Sequence, residues 1–149
     1  MKVVIQRVLH ASVTVDGAVV GQISNGLMCL VGIHAEDTQA DSEYIVRKIL
    51  NARLWPSEKK AWDLSVMQSN YSVLCVSQFT LDCRFQGNKP DFSKAMPPQA
   101  AKEFYETFLE NLKNAYMPDR IQDGIFGAKM KVMLQNDGPV TVILDSKNR

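Results

Sequence analysis

At 149 residues, with 46% hydrophobic and 22% charged side chains, the chain is long enough to bury a sizeable core as one domain over residues 1–149. Its formal net charge of +1 is too balanced to grip a long nucleic-acid backbone through bulk electrostatics. Charge interrupts Met1–Arg7 too early for a signal peptide, and no apolar run approaches the roughly 20 residues of a membrane span, so a soluble, cytoplasmic protein that does not enter a membrane is expected. The three cysteines lack C-x-x-C spacing, which argues against a disulfide framework and a zinc site; no metal or cofactor is expected. Cys29 and Cys75 lie in apolar runs and read as small core residues, while Cys83 sits in a loop with no base supplied by its neighbours.

Met1 to Val15 is rich in β-formers, and Ser12–Val15, Asp16-Gly17 and Ala18–Ile23 read as a hairpin with a type I′ turn. Ser24-Asn25-Gly26 turns again into Leu27–Ile33, an apolar run with the pattern of a buried strand, which His34 ends. Neither His10 nor His34 has triad spacing to a Ser, Cys or Asp, so histidine catalysis is not expected. Thr38 with Asp41 resembles a capping box and opens a helix to about Asn51, with Ile45, Val46, Ile49 and Leu50 as its core stripe. Trp55-Pro56 closes that unit, Ser57–Lys60 is a polar turn, and Asp63–Asn70 reads equally as loop or short strand.

Ser72–Leu81 is the stretch around which the chain is organised. Val73–Val76 is a short, branched apolar run that predicts a strand buried on both faces. It turns polar at Ser77, Gln78 and Thr80, then enters a loop from Asp82 to Lys94. Such a strand end is where sites are built, and equally where Ser and Thr satisfy nearby backbone. Arg84, Lys89 and Lys94 in that loop read either as solvated charges or as contacts to a few phosphates at a nucleic-acid end. Pro97-Pro98 fixes the start of a second helix, and Ala101, Phe104, Tyr105, Phe108 and Leu112 carry its core stripe to about Ala115. Pro118 blocks continuation, Arg120–Ile125 reads as a further strand, and Lys129–Leu134 alternates as a half-buried strand. Asn136–Pro139 reads as a turn before a last strand, Val140–Leu144, and Ser146–Arg149 as a disordered tail. The fold class is α+β: a mixed, strongly curved, barrel-like sheet with two helices in a single domain.

Taken together, Ser77-Gln78-Phe79-Thr80-Leu81, Gly87–Ser93, Phe126-Gly127-Ala128 and Asn136-Asp137-Gly138-Pro139-Val140-Thr141 resemble the D-aminoacyl-tRNA deacylase family. Gln6-Arg7-Val8 and the Asp16-Gly17 hairpin also match, so the resemblance covers essentially the whole chain. It implies a hydrolase that releases D-amino acids from the acceptor end of D-aminoacyl-tRNA, as a homodimer with its active sites at the interface. It further implies that Gly138-Pro139 is a cis bond whose loop enters the partner's pocket, that Arg7 holds that loop, and that Ser77, Gln78, Phe79 and Thr80 face the ester. Phe126 and Met130 are candidates for contact with the terminal adenine, with core packing as the other reading. Asp82-Cys83 departs from the family's more usual aromatic or aliphatic residues after Leu81.

With the α-ammonium held by Gly138 and Pro139 carbonyls, an L side chain would strike the loop and a D side chain would point to open space. Glycine has no side chain to clash, so glycyl-tRNA is an expected second substrate. Backbone N–H groups near Phe79 and Thr80 are the oxyanion candidates; Thr80 as nucleophile would need a base that the sequence does not supply. The resemblance further implies that the attacking group is water assisted by the terminal ribose 2′-OH. The alternatives are a non-catalytic binding dimer on the same fold, and a hydrolase using Cys83 or Ser77.

Overall fold

In the computed structural model, which describes residues 1–149, the alternating N-terminal stretch forms one long strand, β1 (Lys2–Val15), burying Val3, Ile5, Val8, Ala11 and Val13. Asp16 and Gly17 both take positive φ, +48° and +80°, as a type I′ turn demands, and lead into β2 (Ala18–Ile23). β3 (Gly26–Gly32) pairs antiparallel with the first half of β1 and parallel with β4 (Ser72–Ser77), which in turn pairs parallel with β7 (Ile121–Asp123). Gly21 of β2 lies so near β7 that a Cβ there would stand 2.3 Å from the Asp123 carbonyl oxygen. The sheet therefore curls until β2 meets β7, a nearly closed barrel built by β-twist and a bulge at Val13/Thr14.

Two helices cover one face: α1 (Gln39–Asn51) and α2 (Pro98–Ala115). Thr38 N–H donates to Asp41 Oδ2 at 2.9 Å, and Pro98 occupies the first turn of α2, so both starts follow local chemistry. Ile45, Ile49, Phe108 and Leu112 from the helices pack on Val3, Ile5, Leu27 and Val73, while Val8, Val13, Met28, Leu74 and Val76 fill the barrel interior. Alternate residues of β4 thus enter two different cores, which is why its sequence is continuously apolar.

Four features differ from the sequence expectations. The Asp82–Lys94 loop contains a small ribbon, β5 (Arg84–Gln86) with β6 (Lys89–Asp91). The Arg120–Ile125 strand shortens to β7, because a 3-10 turn occupies Pro118–Arg120. Lys131–Asp145 is a single strand, β8, and not two strands about a turn, since β1 is long enough to pair with both halves. The tail is anchored: Ser146 is buried with its N–H on Met1 O, Lys147 Nζ donates to Asp41 Oδ2 at 2.8 Å, and Arg149 lies over the Tyr44 ring. Those partners are more than 100 residues away in sequence and leave no local signal. The Asp63–Asn70 ambiguity resolves as an isolated Trp55–Leu64 bridge followed by turns. No helix is long and apolar enough to cross a membrane.

Candidate active site

β4 ends at Ser77, opposite Val31 of β3, and the Gln78 N–H makes a last 2.8 Å bond to Val31 O. The chain then closes a 3-10 turn, Phe79–Leu81, through Leu81 N–H to Gln78 O and Asp82 N–H to Phe79 O. Gly32 makes room for it, because a Cβ there would sit 2.9 Å from Leu81 Cβ and 3.1 Å from Gln78 O. The first amides of a helical turn, here Phe79 and Thr80, find no acceptor inside it. Gln78 Nε2 donates to Thr80 Oγ1 at 2.6 Å, so the hydroxyl is oriented by an amide, which cannot take its proton. The Phe79 ring is 60% exposed and meets Phe92 edge-on at 5.2 Å.

Behind the turn, Asp82 is buried with Oδ2 lacking a hydrogen bond, and His34 Nε2 stands 3.8 Å from it. Glu36 N–H donates to His34 Nδ1 at 3.1 Å. Sequence spacing did not reveal this approach of His34 and Asp82; a parallel strand pair brings their segments together. Cys83 makes only a weak 3.6 Å contact to Arg84 O. The other two thiols, Cys29 and Cys75, are neighbours in register and fully buried; hydrogen bonding to Cys75 and burial push the Cys29 thiol well up, which suits core packing.

The second group of residues lies at a bulge. Gln6 pairs with Thr141 and Val8 with Asn136, so the four residues Asp137–Val140 stand opposite Arg7 alone. The Gly138-Pro139 bond is cis, both residues are exposed, and Gly138 has φ +127°. Asn136 Nδ2 donates to Arg7 O and Val140 O, each at 2.9 Å, closing the neck of the loop. Arg7 reaches Leu54 O with Nη1 and lies 3.2 Å from Asp137 Oδ2 as an ion pair without hydrogen-bond alignment at Nε. Asn136 was in the motif, but its role as the neck is visible only in three dimensions.

Phe126 lies in a turn and Met130 in the linker before β8, which corrects the expectation of a strand from Lys129. Both are half-buried, Phe126 5.9 Å from the Tyr105 ring and Met130 against the barrel interior. One chain does not unite the two motifs. Arg7 and its bulge stand level with Leu27 and Val73, whereas Ser77 is four residues further along the same strands, about 13 Å at the usual rise.

A family model described as D-Tyr-tRNA(Tyr) deacylase matches residues 4–145. The chain belongs to that family. A D-aminoacyl-tRNA deacylase of Dictyostelium discoideum is 56% identical, with all of both chains covered. D-aminoacyl-tRNA deacylase 1 of Homo sapiens is 54% identical over 98% of this chain and 70% of the relative. A solved structure described as c-Myc DNA Unwinding Element Binding Protein superposes with a TM-score of 0.94 at 54% identity, covering 97% of this chain and 98% of that one. A second, described as a probable eukaryotic D-amino acid tRNA deacylase, has a TM-score of 0.82 at 15% identity over 96% and 97% of the two chains, and shares the deacylase fold.

Proposed function

We propose that this chain hydrolyses the ester of D-aminoacyl-tRNA, and of glycyl-tRNA, and rejects L-aminoacyl-tRNA at the Gly138-Pro139 loop of a second copy. The observation that carries the reading is the Phe79–Leu81 turn at the end of β4, which offers two leading amides beside a hydroxyl that has an amide for its partner. Those amides act as donors to the oxyanion that forms when water attacks the ester carbon. With no base on Thr80, the terminal ribose 2′-OH of the substrate assists the water, and Ser77, Gln78 and Thr80 position it.

The separation of the two motifs in one chain supports a second copy. A loop held out by Asn136 and Arg7 is suited to enter a partner's site. Exposed Leu9, Met133 and Ile143 on β1 and β8 supply apolar surface for such an interface. Chirality is then read by collision with the Gly138-Pro139 wall, which tolerates many D side chains. Phe126 and Met130, both just before β8, bound the space assigned to the terminal adenine.

A second reading, nucleic-acid binding without catalysis, is favoured by the DNA-element description of one 54% identical structure. Parallel hydrolysis of D-tyrosyl-tRNA and L-tyrosyl-tRNA separates the two. Fast release of D-tyrosine alone, with the D-to-L ratio lowered in Pro139→Ala, is the expected result. Release of neither amino acid would leave only the binding reading.

A further inference from the structure

The ribbon of β5 and β6 takes no part in the scheme above, yet it begins three residues after the catalytic turn. Its register sets Arg84 against Asp91, Phe85 against Pro90 and Gln86 against Lys89. Strand alternation puts Phe85 and Pro90 on one face and carries that face on to Phe92, whose ring touches Phe79. Phe79, Phe92, Pro90 and Phe85 therefore form a row leading from the turn to the ribbon tip, and Phe85 is 71% exposed. The other face bears Arg84 and Lys89. Gln86 and Asp91 share that face, Asp91 opposite Arg84 in register, and the Asp91 carboxylate accepts from the Ser93 N–H and hydroxyl, each at 3.0 Å. Arg84 also lines a cleft of about 190 Å³ with Lys2, His34, Asp82, Asp145 and Lys147.

An exposed aromatic on one face of a two-stranded ribbon, with long cationic side chains on the other that can reach round its edge, suits a single nucleic-acid strand, because bases stack on the ring while phosphates meet the cations. We propose that the Arg84–Asp91 ribbon is a platform for the nucleotides that precede the esterified one in the acceptor end, with Phe85 stacking on a base and Arg84 and Lys89 meeting phosphates. This rests on the deacylase reading, which places the ester at the turn and leaves the rest of the single strand to run past it. Stacking accepts any base, so the platform adds affinity across many tRNAs without selecting a sequence.

The test compares D-tyrosyl-tRNA with the 3′-D-tyrosyl ester of adenosine, a fragment that ends before the ribbon. Phe85→Ala is expected to raise KM for the tRNA about tenfold while kcat/KM for the fragment changes by under about twofold, and Phe85→Trp to restore the tRNA KM. Lys89→Gln should make the salt dependence of log KM shallower by about 0.7. Equal losses on both substrates, or no change on either, overturn the platform. A shift of Phe85→Ala from dimer to monomer in sedimentation also overturns it, by assigning the row to a second copy. If the unaltered protein cleaves neither substrate, the deacylase reading fails and the platform falls with it; a variant effect confined to tRNA cannot arise from that failure.

Discussion

The Thr80 hydroxyl accepts a 2.6 Å bond from Gln78 Nε2, so its contribution is that of a positioned group. Deleting such a bond costs about 0.5–1.5 kcal/mol, and Thr80→Ala should lower kcat by no more than about tenfold in single-turnover hydrolysis. Complete loss of turnover in a folded, tRNA-binding variant would restore Thr80 as nucleophile. The cysteines yield a second expectation. Cys29 and Cys75 are buried, so alkylation of the native protein should modify Cys83 alone and leave D-tyrosyl-tRNA hydrolysis intact. Loss of activity in step with that labelling, blocked by substrate, would revive a thiol mechanism.

Among the elements, the start of α1 carries the clearest dependence on pH. Burial works to raise the Asp41 carboxyl, but hydrogen bonds from Lys147, Thr38 and Ser146 outweigh it and hold the group well below the ordinary carboxylate range. A group whose folded pKa is depressed contributes stability that is present above its unfolded value, about 3.9, and is lost as pH falls toward the folded one. Lys147→Gln should therefore lower the urea midpoint at pH 7, and the gap from the unaltered protein should close as pH drops from about 4 into stronger acid. A gap independent of pH would show that Lys147 acts through packing. The β3–β4 pairing has its own sensitive point at Gly26, where a Cβ would stand 1.9 Å from the Ser72 carbonyl oxygen. Backbone cannot step aside as a side chain can, so Gly26→Ala should destabilise by about 1–3 kcal/mol, read as a fall in Tm.

At the scale of the whole molecule, the proposed dimer combines the Phe79–Leu81 turn of one copy with the Gly138-Pro139 loop of the other in each site. A mixture of two inactive variants, one altered in the Phe79–Leu81 turn and one with the Asp137–Val140 loop removed, so that its carbonyls no longer hold the α-ammonium, should regain activity on exchange of subunits. If copies mix at random, half the dimers are mixed and each holds one intact site of two, so about a quarter of full activity returns. No recovery in subunits shown to exchange would place both motifs in one chain's site.

The sequence by itself determined what local chemistry decides. The Asp16-Gly17 turn, the Thr38–Asp41 helix start, Pro98 and the doubly buried Val73–Val76 strand were legible because φ preference, capping and hydrophobic period act over a few residues. Membership of the deacylase family was legible too, as a set of ordered resemblances. Only the tertiary structure decided how β1 pairs with both halves of β8 and turns Asp137–Val140 into a bulge opposite Arg7. It likewise brought His34 to Asp82, seated Ser146 and Lys147 against the start of the chain and of α1, and set the turn and the loop apart. These are pairings between segments distant in sequence, fixed by which buried polar groups and strand edges find partners when the barrel curls, and no window of neighbouring residues records them.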